Sequence, residues 1–287
     1  MSGLNKKKLF LALKISMKEN KNMRKVNNLK YLIVVLIMMF SGFPANAQTK
    51  SLELGLFGGT SYYIGDLNPA IPYNMAQLAY GGVVRLNTSP RWTFKLSYSR
   101  GKVKGNDNVT KAVTNRNLNF VSTINDFSLT TEFNFWEYFT GSKKNFFTPY
   151  LFGGVGFFMF NTKAFDGTPL QPLGTEGQNA GFNNRKPYVK YGVSVPFGIG
   201  FKYSINEKLS LAFEWGMRKT FTDYIDDVST TYYDNSINDP YSDPTASHDA
   251  YQQRGNSKTK DWYNFTGITL TYKFDLYNKR NCHVGKW

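Results

Sequence analysis

Period-two alternation, repeated in eight separate stretches, constrains this chain more than any motif it carries. The clearest stretch covers 209–218. Leu209, Leu211, Phe213, Trp215 and Met217 share one face there, and Ser210, Ala212, Glu214, Gly216 and Arg218 share the other. That pattern is a strand greasy on one side only. Comparable strands are expected near 52–63, 80–87, 92–99, 126–135, 150–160, 189–203 and 264–274. The fifth reads YLFGGVGFFMF and is apolar on both faces, so periodicity leaves its orientation open.

The connections alternate long, short, long, short, long, short, long. The short ones carry turn chemistry around Ser89, Ser142 and Asn206, while the longest runs to about residue 261. An antiparallel meander places all four long loops at one end and all three short turns at the other. A soluble sandwich has no reason to sort its loops that way. The expected fold is therefore all-β: an eight-stranded antiparallel up-and-down transmembrane β-barrel with short periplasmic turns and four long extracellular loops. Pro196 predicts a bulge or bend in the sixth strand.

In this register Glu53, Arg85, Lys95, Asp126, Glu132, Lys190, Lys202, Glu214, Arg218 and Lys273 point toward the axis. Eight strands enclose a space that side chains fill, so a plugged cylinder is expected and not a solute pore. The inward glycines at 55, 59, 192, 198, 200 and 216 are expected to make room for long charged side chains.

Ahead of the strands, Arg24, Lys25 and Lys30 precede the apolar run LIVVLIMMF, and Ala45-Asn46-Ala47 follows. A basic flank, a short apolar core and an A-x-A site describe a secretory signal, here expected to be cleaved between Ala47 and Gln48. Translation from Met23 would give a well-formed signal by itself. The expected organisation is 1–47 as upstream extension plus signal, 48–275 as barrel, and 276–287 as polar periplasmic tail. Without residues 1–47 the chain keeps 26 basic and 19 acidic residues, and its formal charge falls from +15 to +7. The remaining surplus is scattered, without the clustered patch that nucleic-acid binding needs.

Candidate chemistry is sparse. Cys282 is the only cysteine, which excludes an internal disulfide, and with His283 it offers too few ligands for zinc. Ser247-His248-Asp249 are adjacent in a loop and cannot converge as a triad, so a solvated loop histidine is the plainer reading. Asp223, Asp226, Asp227 and Asp234 could offer oxygens to calcium, but their spacing fits no EF-hand; turn formation and contacts among the outer loops account for them better. No cofactor and no catalytic residue are expected.

The segments SYYIGDLNP (61–69), TPYLFGGVG (148–156), LQPLGTEGQ (170–178), VPFGIGFKY (195–203) and TFTDYIDDVSTTYYD (220–234) together resemble the PorG-like outer-membrane barrels. These are associated with the type IX secretion system of Bacteroidetes. Gly267 followed by Leu270, Tyr272 and Phe274 also looks like a barrel-assembly signal. The resemblance covers nearly the whole mature chain. It singles out the loop residues Gly174, Thr175, Glu176, Gly177, Gln178, Asp223, Tyr224, Asp226 and Asp227, because barrel physics alone does not demand them. It implies a non-enzymatic subunit, in outer-membrane lipid, that anchors or assembles the periplasmic ring of the secretion and gliding machinery. The turns at Ser89, Ser142 and Asn206, with the C-terminal tail, would then be the periplasmic contact surface. The alternative is a surface barrel whose long loops bind an extracellular ligand or partner.

Overall fold

The computed structural model describes residues 50–111, 113, 115–233 and 240–276. Within them lie β1 (Ser51–Ile64), β2 (Gln77–Asn87), β3 (Trp92–Asn106), β4 (Asn119–Asn134), β5 (Phe147–Lys163), β6 (Tyr191–Ser204), β7 (Leu209–Thr220) and β8 (Trp262–Asp275). Each pairs antiparallel with the next, and β8 pairs back onto β1, closing the barrel. A single helical turn, α1 (Asp107–Thr110), follows β3, and the Asn106 side chain caps it by accepting the Asn108 N–H.

The register fixes the geometry of the wall. From Gly58, one route of pairings passes through Tyr80, Arg100, Asn125 and Met159 to Tyr191, and the other through Ile268 and Phe213 to Phe201. The two routes arrive on β6 ten residues apart, which is the shear of the barrel. Such a stagger tilts the strands by roughly 35–45°.

Closure leaves the sheet without an open edge, so the outer wall can meet hydrocarbon. That wall exposes Leu54, Leu56, Leu96, Leu129, Val155, Ile199, Phe213 and Leu270, with aromatic residues such as Trp92, Trp136, Tyr203 and Phe274 toward the end that carries the short turns. This is the belt of an outer-membrane barrel. Among the described residues no helix is long and apolar enough to cross a membrane; the strands do so.

The interior is packed. Glu132 is fully buried and holds three cations: Arg85 Nε and Lys95 Nζ at 3.2 Å on one oxygen, and Lys202 Nζ at 2.6 Å on the other. Lys95 also bonds Glu214, which accepts the Tyr150 hydroxyl at 2.9 Å. Toward the loop end the filling becomes apolar, through Tyr63, Phe120, Phe158, Phe160, Tyr263 and Phe265.

The structure resolves β5 and corrects several expectations. Tyr150, Phe152, Phe158 and Phe160 point inward, while Leu151, Val155, Phe157 and Met159 face lipid. Most inward glycines of β6 make room for these aromatics and not for charges: an added Cβ would meet the Tyr150 ring 2.6 Å from Gly200 and the Phe152 ring 2.8 Å from Gly198. Of the six inward glycines singled out by sequence, only Gly216 lies against a charge, with an added Cβ 2.6 Å from the Arg218 guanidinium.

Lys190 precedes β6 and is exposed, because the strand begins only at Tyr191. Pro196 makes no bulge: Gly153 pairs with Phe197 and Gly156 with Ser194, the same register on both sides. The missing N–H interrupts the ladder without adding a residue. β3 continues to Asn106, past the expected end near residue 99.

Met217, expected to face lipid, is buried although it lies on the outward side. The 65–76 loop doubles back over the wall, and Tyr73 packs on Tyr62 with ring centroids 4.7 Å apart. Beneath it Asn264 Nδ2 donates to Met217 Sδ at 3.4 Å, and Tyr73 Oη donates to Thr266 at 3.3 Å. The β4–β5 connection, residues 135–146, is as long as loops 65–76 and 107–118, so the long–short alternation is less strict than the sequence implies.

Candidate functional site

At the long-loop end the motif residues converge. The left-handed glycines Gly174 (φ 66°) and Gly177 (φ 76°) bend the chain, and the Gly177 N–H closes the turn on Gly174 O at 2.7 Å. This turn presents Glu176 to the 221–261 loop. Its carboxylate, fully buried, accepts the N–H groups of Ser229 and Thr230 at 2.8 and 3.0 Å, and the Thr230 hydroxyl at 2.5 Å. Thr175 and Tyr188 donate to Asp227 at 2.5 and 2.6 Å. Gln178 accepts the Glu176 N–H at 2.9 Å. The Tyr224 ring stacks on Tyr188 at 4.5 Å.

Two buried arginines, not singled out by the sequence, tie the loops together. Arg254 donates to Glu176 at 3.2 Å and to the Asp227 carbonyl at 2.6 Å. Arg116 forms a fork with Asp107 at 2.6 and 2.8 Å and reaches the carbonyls of Arg254 and Asp66 at 2.8 and 2.9 Å. Bidentate pairing of this kind fixes geometry as well as charge. All four loops therefore contribute to one interlocked cap over the barrel mouth.

The remaining carboxylates of the cap are crowded. Tyr63 donates to both Asp226 and Asp261, the latter at 3.0 Å; Asp226 also accepts the Val228 N–H and Asp261 the Ile225 N–H. Burial raises both carboxyls well above the usual range, with repulsion from Asp261 adding at Asp226 and repulsion from Asp223 adding at Asp261. Burial pushes Asp227 to about 6 against the opposing pull of Arg254, and Asp223 to about 7 against the Ser229 hydroxyl.

Each of these carboxyls already accepts from the chain's own donors, through Oδ2 alone at Asp223. Among the described residues no group of three His, Cys, Asp or Glu side chains is arranged to hold a metal. Asp234, Cys282 and His283 lie outside the described residues, as do Ala45, Ala47 and Gln48.

His248 is not solvated, contrary to the sequence reading. It is buried, its Nδ1 lies 2.8 Å from Asp243, and its ring stacks on Tyr232 at 4.2 Å. Ser247 and Asp249 are both exposed. The side chain packs the cap.

The opposite mouth is closed by 135–146. Tyr138 and Thr140 turn inward, Thr140 Oγ1 donates to Glu53 at 2.6 Å, and Lys273 Nζ donates back to Thr140 O at 2.8 Å. Gly141 N–H donates to Ser204 Oγ at 2.7 Å, and Tyr138 N–H to Pro90 O at 3.2 Å, so this segment touches both shorter turns.

The three residues singled out by sequence each cap a turn. Ser89 accepts the Trp92 N–H at 3.0 Å, Ser142 the Asn145 N–H at 2.9 Å, and Asn206 the Leu209 N–H at 2.9 Å. Ser89 and Ser142 also line a cleft of about 380 Å³ with Asn87, Tyr138, Thr140 and Lys273; Asn206 stands apart from it.

Solved structures similar in fold include Ail, the attachment invasion locus protein of Yersinia pestis. It is 10% identical, with a TM-score of 0.40 over 79% of this chain and 100% of that one. Neisserial surface protein A is 8% identical, with a TM-score of 0.41 over 78% and 97%. The outer membrane protein OprG from Pseudomonas aeruginosa is 12% identical, with a TM-score of 0.37 over 79% and 96%. Among curated proteins none matches this sequence. The family model described as a domain of unknown function, DUF6089, matches residues 29–285, and the chain belongs to that family.

Proposed function

We propose that this barrel is a non-enzymatic outer-membrane subunit of the type IX protein secretion and gliding machinery, and that it anchors or assembles the periplasmic ring. The motifs at 170–178 and 220–234 support the reading. They resemble the PorG-like barrels, and in the fold they meet, although barrel closure alone requires no such meeting.

The observation that carries the contact surface is the periplasmic mouth. Segment 135–146 binds both short turns, leaving Lys143, Lys144, Glu207 and Lys208 exposed on one interlinked face. A rigid face of mixed charge beside a cleft suits a lasting protein contact, because little order has to be gained on binding.

The test is a mild-detergent purification of the tagged protein from its own cells, with co-purifying proteins identified by mass spectrometry. Recovery of periplasmic ring components, lost when 141–145 and 205–208 are replaced by Gly/Ser sequence, is expected. Recovery of the folded barrel alone would overturn the proposal and favour a surface-binding role for the long loops.

A further inference from the structure

The extracellular end sorts its charges. Asp107, Glu176, Asp223, Asp226, Asp227 and Asp261 are all buried within the cap together with Arg116 and Arg254, whereas the lysines of this end stay outside. The concentration is highest on the outward face of β3, where Arg100, Lys102 and Lys104 occupy three successive outward positions directly above Tyr98. Neighbouring outward positions on a strand are about 6.5 Å apart. Across β4 the outward side chains are the smaller Asn125, Thr123 and Val121; beyond them Lys163 on β5 pairs with Val121, itself paired with Lys104. The result is a shallow trough between a column of three cations and the single Lys163 about 9.5 Å across from it.

Three observations aim this trough at a lipid. Arg100 sits at the edge of the apolar wall: Tyr80 pairs beside it, and Leu78, 84% exposed, stands one outward position higher. Asn125 Oδ1 accepts from both Tyr98 Oη at 3.0 Å and Arg100 at 3.2 Å, joining the aromatic belt to the first cation. Among the described residues none of the four cations is ion-paired and no carboxylate shares the outward faces of β3, β4 and β5 here. Of the acids three residues away, Asp107 pairs with Arg116, and Asp166 accepts from Tyr241 at 2.7 Å and from the Thr168 N–H at 2.9 Å. Long cationic side chains at such a boundary lay their stems on hydrocarbon and hold their charge at headgroup level.

We infer that Arg100, Lys102, Lys104 and Lys163 form a site for the phosphorylated headgroup of an outer-leaflet glycolipid, with the acyl chains lying on the wall below Tyr98. The assignment rests on the long loops facing outward, and it is independent of any role in secretion.

The test uses the purified full barrel in nanodiscs and measures retention of bisphosphorylated lipid A against the same lipid stripped of both phosphates. Wild type is expected to retain the phosphorylated form roughly tenfold better, given the attraction that each basic residue exerts on anionic headgroups. Arg100→Gln, Lys102→Gln and Lys104→Gln combined should remove that preference, whereas Lys143→Gln with Lys144→Gln should leave it intact. Inorganic pyrophosphate should not displace the lipid. Equal retention of both lipids by wild type overturns the proposal, and this comparison needs no variant to fold. An unchanged preference in the triple variant, or displacement by pyrophosphate, which would mark a soluble-anion site, also overturns it.

Discussion

The Glu176 carboxylate, in the 164–190 loop, accepts the main-chain N–H of Ser229, in the 221–261 loop, at 2.8 Å. A carboxylate holding two main-chain donors of another loop acts as a clasp, and each charge-assisted bond contributes about 1.5–3 kcal/mol. Glu176→Ala should therefore open the cap by about 3 kcal/mol or more while the strands hold. Hydrogen exchange should show faster exchange across 223–233 and unchanged protection in β1–β8. Equal protection of the cap in variant and wild type would remove the clasp from the account.

Glu132 compensates three buried cations, so its loss is costlier than that of any single one of them. Removing one partner of a buried ion pair typically destabilises by about 3–5 kcal/mol. Glu132→Gln should lower the temperature at which the folded gel band converts to the unfolded one, and should do so more than Lys202→Gln. Identical transitions for the two variants would mean that the cations are compensated elsewhere.

The cap should tighten in acid. Asp223 and Asp227 have carboxyls raised by burial to about 7 and about 6, above the ordinary aspartate range. A group raised in the folded state stabilises fully below its unfolded pKa of about 4, and that stability is lost as pH rises through the folded value. Local opening of 223–229, corrected for intrinsic exchange rates, should thus increase between about pH 4 and 7. Asp223→Asn should flatten the dependence. The flanking charges Asp66, Glu176 and Lys260 remain in both proteins, whereas the repulsion that Asp223 exerts on Asp261 is lost, so the difference reports Asp223 together with its coupling to Asp261.

Gly141 is the backbone hinge of the periplasmic mouth, with φ +96°, and an added Cβ would stand 2.7 Å from Glu207 O. Strain of this kind costs about 1–3 kcal/mol. Gly141→Ala should expose 135–146 to protease in detergent while the barrel still shows its folded gel band. Resistance equal to wild type would mean that the mouth tolerates separation of its turns.

The wall was legible because lipid and interior make opposite demands on neighbouring residues, and 209–216 obeys both at every position. β5 was not, because its inward residues are aromatic even where they meet charge: Phe158 packs on Tyr263, the Lys95 ammonium lies over the Phe152 ring, and Tyr150 donates to Glu214, so both of its faces read as apolar. Met217 was misplaced because alternation reports the side of the wall and not what a loop lays over it. Segment 135–146 keeps an aromatic pattern after its ladder ends, which hid the closure of the mouth. The motif residues around Glu176 were recognisable by resemblance, but Arg254 lies 78 residues away in a polar loop without periodicity. Nothing local marks such a partner.

The central claim is a barrel across the outer membrane with its cap outside and its linked turns in the periplasm. Single cysteines at Ser257→Cys and Lys143→Cys, in a Cys282→Ser background, would be treated in intact cells with a membrane-impermeant maleimide. The account predicts labelling at 257 in intact cells, and at 143 only after the outer membrane is permeabilised. Labelling at 143 in intact cells with protection at 257 would contradict it.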